Sequence, residues 1–486
     1  MLRKYFISNI TIMLLLNLLV KPLWIFMIDR NVQLTVGHAE YGLYGALVGL
    51  TIIFNILLDM GITNYNNKHL AANKNMIVDK LPNMIVAKAI LSLIYFTIIL
   101  VVAFLLQYNT RAINLVFLLA IVQMLNSFLL FLRSNVSANH HFKTDSMLSV
   151  LDKLLMILIC GFLLFNNFYH QHFKIEWFIY AQIVAYAIAS LVALFIVISR
   201  YSKIHFAHFS IKETLNICKK SLPYALLILF MGIYMRSDTL LLERIEGATQ
   251  NSIYLEAYRI LDAVNMIAFL FAGILLPMFS RMISQNLNIE NLVSTSANIM
   301  ISSSLALVAF CIVFAMPIMS VLYHNVDSNL IITFSVVIGS FPAFCIMYIY
   351  STLLTANGNI KLLVKIAMFG SFFSISLNAI LIHYFHSIGA AITCFAVEWL
   401  MGFIYIFYCI KYFNLPVNYI RIIKFLMIFV SHLLFNIIIH YFDIKLLAAI
   451  FSNAILFLLL VYIIRLWDKT LILSFFKQYT SMNDKS

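Results

Sequence analysis

Long apolar stretches separated by short polar segments recur along the whole chain. Most of them run for about 18 residues or more, which lets a helix cross a hydrocarbon core about 30 Å thick. The pattern predicts about fourteen helices, centred near residues 19, 53, 94, 122, 157, 188, 232, 267, 307, 341, 373, 400, 430 and 455. Because alternating strands of the kind that build membrane barrels are absent, we expect an all-α integral membrane protein.

The composition agrees with this fold class, and the short loops reduce the number of possible functions. Hydrophobic residues make up 63% and charged residues 10% of the 486 positions, and the mean hydropathy is +0.97. These values lie far outside the range of soluble globular chains. No predicted loop exceeds about 25 residues. A membrane-embedded glycosyltransferase or polymerase usually carries a larger loop, so it is a remote alternative.

The distribution of basic residues sets the orientation. With the N-terminus in the cytoplasm, about 22 of the 32 Lys and Arg residues fall on the inner side and about 5 on the outer side, as the positive-inside rule requires. We therefore predict a multi-pass protein of the bacterial cytoplasmic (inner) membrane, with a retained first span and both termini in the cytoplasm. Inner loops that face anionic lipid explain the net charge of +13, so no nucleic-acid partner is expected.

Two stretches of equal length indicate an internal duplication. Residues 41–68 and 254–281 each open on tyrosines and close on a cation, and each follows a span that ends in acidic residues. An even number of helices in each half gives both copies the same orientation, as in transporters built from parallel repeats. The duplication predicts two pseudo-symmetric six-helix lobes followed by a C-terminal helix pair.

The predicted domain limits follow from this repeat. The connection between the sixth and seventh helices is basic and contains Ser210-x-x-Glu213, a capping-box pattern typical of a helix start. It is either a plain linker or a short helix on the membrane surface. The divisions are an N-terminal lobe over 1–200, the linker over 201–220, a C-terminal lobe over 221–413, and the last two helices with a cytoplasmic tail over 414–486.

Several charged residues fall within predicted spans, where a charge at mid-bilayer costs about 2.5 to 3.5 kcal/mol. Lys88, Asp152 and Lys153 lie near the predicted inner ends of their helices, so we expect them to reach the lipid headgroups. Glu256 lies near an outer end. These four residues need no functional explanation.

Other intramembrane charges need a partner or a water-filled cavity. Arg259 and Asp262 follow Glu256 at intervals of three residues, along one stripe of a helix. Arg236 and Asp238 project about 200° apart, so one stripe cannot hold both. A structural salt bridge is the alternative explanation for each of them.

Lys21 and Glu398 stand apart from the other charges in the sequence. Lys21 precedes Pro22 in mid-span, where the proline removes a backbone hydrogen bond and is expected to kink the helix. Glu398 has no charged neighbour in sequence, which makes it the strongest candidate for an ion or proton site. The candidate acids for ion coupling or for lining a cavity are Asp59, Asp238, Asp262 and Glu398.

Lys21, Arg236 and Arg259 together predict a cationic patch inside a membrane cavity. An apolar molecule or an organic cation gains nothing from such a patch, whereas a pyrophosphate accepts paired charge-assisted hydrogen bonds from it. Tyrosines near helix ends can stack on sugars, but we assign them to the interfacial aromatic belt; they are Tyr41, Tyr44, Tyr65, Tyr254 and Tyr258.

Motifs for other chemistries are missing. The six cysteines form no C-x-x-C pair, and the histidine pairs lack nearby carboxylates, so no metal site is expected. No Walker motif, nucleophile elbow or HExxH occurs, so we predict no catalytic residues and no cofactor. Gly45 and Gly49, in GALVG, fit a close helix contact.

Six sequence segments, in this order, carry a family resemblance. They are YGLYGALVGLTIIFNILLDMGITNYNNK, YMRSDTLLLERIEG, YLEAYRILDAV, LLPMFSR, LLTANGNIK and SLNAILIHYFHSIGAAI. Together they resemble the polysaccharide-unit (O-antigen type) flippases of the multidrug/oligosaccharidyl-lipid/polysaccharide exporter superfamily. The resemblance extends over roughly residues 5 to 410, and a final helix pair is usual in that branch.

The resemblance implies a secondary-type transporter and no enzyme. It implies that the chain moves an undecaprenyl-pyrophosphate-linked oligosaccharide from the cytoplasmic to the outer leaflet by alternating access, for O-antigen, capsule or exopolysaccharide synthesis. An ion gradient or the membrane potential would drive transport, and a polysaccharide polymerase with chain-length machinery would be partners besides membrane lipids. The alternatives are a multidrug/cation antiporter of the same superfamily, which should have an acid-dominated cavity, and a lipid II flippase.

Overall fold

The computed structural model describes residues 16–17, 19–63, 76–139, 141–200, 211–324, 326–464 and 466, which are almost entirely helical. Two residues after Pro22 the first helix passes into a π-helical segment, Trp24–Asp29. A proline has no N–H to donate, and wider i→i+5 turns are a known way to absorb such a gap. The predicted irregularity beside Lys21 is thus a local widening of the helix.

Seventeen α-helices follow in the described residues. In the first half they are α1 (Arg30–Val36), α2 (His38–Ile53), α3 (Ile56–Asp59), α4 (Met76–Leu105), α5 (Thr110–Ala138), α6 (Phe142–Phe165), α7 (Asn167–His170), α8 (Ile175–Arg200) and α9 (Ile211–Glu246). In the second half they are α10 (Ala248–Ser284), α11 (Glu290–Val313), α12 (Ala315–Leu322), α13 (Ser328–Ile338), α14 (Phe341–Ala356), α15 (Ile360–Phe413), α16 (Tyr419–Tyr441) and α17 (Leu446–Ile463).

Eleven helices of the described chain are long and apolar enough to cross a membrane. One of them, α15, has 54 residues and breaks at His386, whose backbone angles are φ 53° and ψ −128°, so it supplies two crossings. Residues 19–36 and the interrupted helices α2 and α3 are two further helical segments, at the remaining two predicted centres. Every predicted helix centre falls within one of these fourteen segments, which confirms the all-α membrane fold.

The described residues form two compact units. The first comprises the chain up to Ser252 together with Ala367–Ile375, and the second comprises Ile253–Ile366 and the residues from Ser376 onward. The returning segment Ala367–Ile375 is bound to α9 by polar contacts. Ser371 Oγ donates to the Phe230 carbonyl at 2.7 Å, and the hydroxyls of Ser237 and Ser374 are 3.2 Å apart. These contact-based units differ from the repeat-based lobes, whose limits remain a prediction.

Within the first unit, α2 packs closely on α9 and the start of α10. A Cβ atom built on Gly42 would lie 1.7 Å from the Ala248 carbonyl oxygen, and one built on Gly49 would lie 2.6 Å from the Thr239 hydroxyl. The Asn251 amide donates to the Gly42 carbonyl at 2.7 Å. The predicted packing role of Gly49 is therefore confirmed, and the missing side chains allow the helix backbones to approach each other.

Polar contacts join helix ends at one side of this unit. Arg111 bridges the carboxylates of Glu40 at 2.7 Å and Glu176 at 3.0 Å. Tyr108 donates to Glu243 at 2.9 Å, and burial together with that carboxylate raises the pKa of Tyr108 above its ordinary value, so the hydroxyl stays protonated. Arg244 covers the Tyr108 ring, 3.5 Å from its centroid, and donates to a backbone carbonyl.

Two predictions fall partly outside the described residues. The first ten residues of the predicted linker, 201–210, are not described, and α9 runs from Ile211 directly into the seventh span. The predicted surface helix and its capping box therefore remain untested. The tail beyond residue 466 is also outside the described residues.

Candidate functional site

The first unit contains a cluster of cations around Lys21. Lys21 is half-buried, and Lys153, Arg133 and Asp152 lie within electrostatic reach of its ammonium group. Within the described part of the chain, Lys21 itself makes no ion pair or hydrogen bond. A half-buried ammonium of this kind in a membrane span is a candidate ligand-binding group.

Lys153 is held between two aromatic rings. Its ammonium lies 5.2 Å from the centre of the Trp24 ring and 5.3 Å from that of Tyr186, and it donates to the Tyr186 hydroxyl at 3.2 Å. The Asp152 carboxylate is 3.4 Å away. Cation–π contacts and one carboxylate thus stabilise a positive charge inside the helix bundle.

Arg133 completes the cationic cluster, which we define as Lys21, Arg133 and Lys153. The Arg133 Nε donates to the Asp145 carboxylate at 2.8 Å. Among the described residues, the carboxylates paired with the cluster are Asp152 and Asp145, so three cations face two carboxylates there. Such a site favours an anionic ligand, because charges interact more strongly in the low-dielectric interior than in water.

The predicted snorkelling of lysines and of Asp152 is wrong. Lys88 is 4% exposed and lies 2.6 Å from the Asp59 carboxylate, with a further bond of 2.8 Å to the Ser127 hydroxyl. The Lys88 ammonium is therefore engaged by protein groups rather than by lipid headgroups. Asp152, at 7% exposure, and Lys153 are also enclosed by protein.

The predicted aromatic belt is also wrong for the described tyrosines. Four of them are less than 9% exposed; they are Tyr41, Tyr44, Tyr254 and Tyr258. The Tyr41 hydroxyl donates to Asp29 at 2.8 Å, and Tyr44 accepts from Gln182 at 2.8 Å. These rings therefore belong to the polar interior of their units. Tyr65 lies outside the described residues.

Arg236 and Asp238 lie on α9, which belongs to the first unit. Lys21 and Asp59 are in the same unit but on other helices. Asp238 is 6% exposed and accepts from the Thr239 backbone N–H at 2.8 Å. Arg236 is half-buried, and its carbonyl accepts from the Thr239 hydroxyl at 3.0 Å. The two side chains thus differ in exposure, as expected for residues on opposite sides of a helix.

The second unit contains the charged stripe of α10. Glu256 is 1% exposed and Arg259 4% exposed, and Arg259 Nη1 donates to the Tyr323 hydroxyl at 3.0 Å. Glu256, which is predicted to lie near the outer end of its helix, is thus buried inside the unit. The stripe therefore packs inward, as its spacing of three residues predicts.

Asp262 and Glu398 share a neighbour in the second unit. Both carboxylates act electrostatically on the Tyr348 hydroxyl, and Glu398 also acts on Tyr405. Glu398 is 3% exposed. The structure thus brings together two of the four candidate acids, although they lie far apart in sequence. The third candidate cation, Arg259, is in this unit, whereas Lys21 and Arg236 are in the first.

Arg133 and Lys153 were missed as site residues by the sequence analysis. A usable signal was present in α6, where Asp145, Ser149 and Asp152 recur at i, i+4 and i+7 and define one polar face. A polar face on a membrane helix points toward protein or water rather than lipid. In the described residues no group of His, Cys, Asp and Glu side chains is arranged to hold a metal ion.

Comparisons with solved structures establish which fold this is. The chain is similar to the lipid II flippase MurJ in an inward closed conformation, with a TM-score of 0.72 and 15% identity over 93% of this chain and 98% of that one. It is also similar to a multidrug resistance MATE family transporter of the MOP superfamily, inward-facing, with a TM-score of 0.62 and 17% identity over 84% and 98%.

A MOP superfamily transporter from Pyrococcus furiosus gives a third match, with a TM-score of 0.59 and 16% identity over 85% of this chain and 96% of that one. No curated protein matches the sequence significantly. The family model described as "Polysaccharide biosynthesis protein" matches residues 6–283, more than half of the chain. The chain therefore belongs to the polysaccharide biosynthesis protein family, and its fold is that of the two transporters and the flippase above.

Proposed function

We propose that this protein is a flippase that moves an undecaprenyl-pyrophosphate-linked oligosaccharide unit from the cytoplasmic to the outer leaflet of the bacterial inner membrane. The units would serve the synthesis of O-antigen, capsule or exopolysaccharide. The family match and the shared transporter fold support a polysaccharide-related cargo. The observation that carries the proposal is the cationic cluster around Lys21, because a pyrophosphate needs a positive site within the membrane.

In this proposal the cationic cluster and Arg236, all in the first unit, bind the pyrophosphate, and Arg259 remains a predicted substrate-binding residue of the second unit. Guanidinium and ammonium groups donate charge-assisted hydrogen bonds to phosphate oxygens, and these are about twice as strong as neutral ones. Lys21 has its donors available in the described structure, whereas Lys153 is oriented by Trp24 and Tyr186. We propose that Lys21 contacts the pyrophosphate directly and that Lys153 contributes to the positive charge of the site.

The four candidate acids retain a proposed role in coupling transport to an ion gradient or the membrane potential. Asp262 and Glu398 are the better pair, because both act on Tyr348. Asp59 is engaged by Lys88 and is better suited to a structural role. A polysaccharide polymerase and chain-length proteins remain proposed partners.

Replacing Lys21 with glutamine tests the function. We expect at least a tenfold loss of surface polysaccharide, with lipid-linked units accumulating in the membrane, because the positive site loses its half-buried ammonium. Lys21→Arg should retain transport. Lys445→Gln, which removes an equal charge from a predicted outer loop, is the matched control. Wild-type polysaccharide from a correctly inserted Lys21→Gln protein would refute the assignment.

A lipid II flippase is the second candidate, favoured by the structural similarity over 93% of the chain. Complementation distinguishes the two. The protein should fail to support growth of cells depleted of their own lipid II flippase, while restoring polysaccharide to cells that lack a polysaccharide-unit flippase. Organic cations are disfavoured as cargo, because the cluster carries excess positive charge.

A further inference from the structure

The second unit contains an apolar groove of about 700 Å³. It is bounded by α11, α14, the second half of α15, and α16. Its walls are almost entirely hydrocarbon and include Ile301, Val308, Ile346, Ile406 and Phe425. No charged residue that we assign to cargo or coupling lines this groove, so it is separate from the candidate site.

The side of the groove is open to the surroundings of the protein. Phe403, Ile422 and Leu426 line it, and each side chain is at least half exposed. In a membrane-spanning protein, exposed apolar side chains at this depth face acyl chains. The occupant of the groove is therefore an apolar chain that enters from the bilayer.

Polar groups gather at one end of the groove only. Arg421, in the first turn of α16, lines that end and donates from Nη2 to the Ser294 hydroxyl at 2.7 Å. Glu290 and Asn418 complete this end, and the Tyr350 hydroxyl lies within electrostatic reach of Arg421. No carboxylate of the described chain lies at ion-pair distance from the Arg421 guanidinium.

This polar end lies on the side of the membrane that the positive-inside pattern assigns to the cytoplasm. Lys411 and Lys424 flank it in sequence, before and after Arg421. The inner leaflet is rich in anionic lipids, which basic residues near the surface attract. Charge and position thus select a headgroup that carries a phosphate.

We propose that the groove is a binding site for one anionic phospholipid of the inner leaflet, with its phosphate on Arg421 and Ser294 and an acyl chain between α11 and α16. The size agrees. If a methylene takes up about as much space as a water molecule in the liquid, about 30 Å³, then the groove holds on the order of 20 carbons. One ordinary acyl chain fits, whereas a long polyprenyl chain exceeds the space.

Native mass spectrometry of the purified full-length protein tests the site. The protein is titrated with phosphatidylglycerol or with zwitterionic phosphatidylethanolamine, and bound lipids are counted. We expect one phosphatidylglycerol to be retained in preference. Arg421→Gln should weaken its retention about fivefold, the value of one basic residue near a membrane surface. Lys424→Gln, on the same helix but outside the groove, should change little.

A second variant distinguishes the contribution of the groove to lipid binding from that of the Arg421 charge. Ile406→Trp fills part of the groove and leaves Arg421 in place, so it should lower photo-cross-linking by an acyl-chain diazirine lipid while the protein remains folded. Equal retention of both lipids, or an unchanged Arg421→Gln protein, would overturn the proposal. So would displacement of phosphatidylglycerol by undecaprenyl phosphate at equal concentration, or occupation of the groove by residues 467–486 of the chain.

Discussion

At the scale of single residues, the charged side chains inside this membrane protein have two different roles. Lys88 and Asp59 form a close pair with further hydrogen bonds to neighbouring groups, an arrangement that neutralises both charges. Lys21 lies among other cations and makes no such pair within the described residues. A paired charge supports the fold, whereas a positive site without a full set of counter-charges is suited to a ligand.

The Lys88–Asp59 pair gives a prediction about stability. Lys88→Met leaves the Asp59 carboxylate, whose side chain is 16% exposed, without its cation and should destabilise the protein by about 3 kcal/mol. The double variant Lys88→Met/Asp59→Leu should recover most of this loss, since no uncompensated charge remains. Thermal unfolding of the detergent-purified proteins measures both effects. A double variant as unstable as the single one would contradict a pairing role and favour a functional role for Asp59.

At the scale of helices, small residues decide which elements approach closely. Gly42 and Gly49 lie on the face of α2 that contacts α9 and α10, and both would place a Cβ within 3 Å of the opposing helix. Gly389, just after the break in α15, would place a Cβ 2.1 Å from the Leu381 carbonyl oxygen. Of the glycines in the segments that carry the family resemblance, Gly42 and Gly389 therefore stand where a backbone lies in direct contact, and Gly49 stands against a threonine side chain.

Substituting one of these glycines should be costly. Gly42→Ala drives a methyl group into the backbone of α10, and overpacking of this kind typically costs about 1 to 3 kcal/mol. Gly273→Ala is the matched control, because its Cβ would meet nothing within 4 Å and alanine favours a helix. The melting temperature should fall for the first variant and hold or rise for the second. Equal melting temperatures would show that α2 and α10 are not in close contact.

At the scale of the whole molecule, the number and centres of the spans could be predicted from sequence, because hydropathy over about 18 residues depends only on local composition. The residues that pair with the intramembrane charges could not be predicted from the sequence. Lys88 was expected to reach the headgroups because it lies near the predicted inner end of its helix, but its partner is Asp59, 29 residues earlier in the chain. Tyr254 was assigned to the aromatic belt, although tertiary packing buries it completely. Partner choice depends on contacts between distant segments, which one sequence does not encode locally.

The predicted orientation leads to a test of topology. Asp443, between α16 and α17, lies on the predicted outer side, and Asn414, between α15 and α16, lies on the inner side. In intact cells a membrane-impermeant maleimide should label Asp443→Cys and should label Asn414→Cys only after permeabilisation. The unsubstituted protein, with its six cysteines, is the background control. The reverse labelling pattern would invert the proposed transport direction.

The return of Ala367–Ile375 to the first unit has a consequence for biosynthesis. Ribosomes deliver the chain from its N-terminus, so α9 enters the bilayer long before the serines that bond to it have been made. Until residue 375 emerges, Phe230 and Ser237 lack their native polar contacts, and that face of α9 must be shielded by lipid or by the insertion machinery. The first unit therefore reaches its final form only after more than three quarters of the polypeptide has been translated.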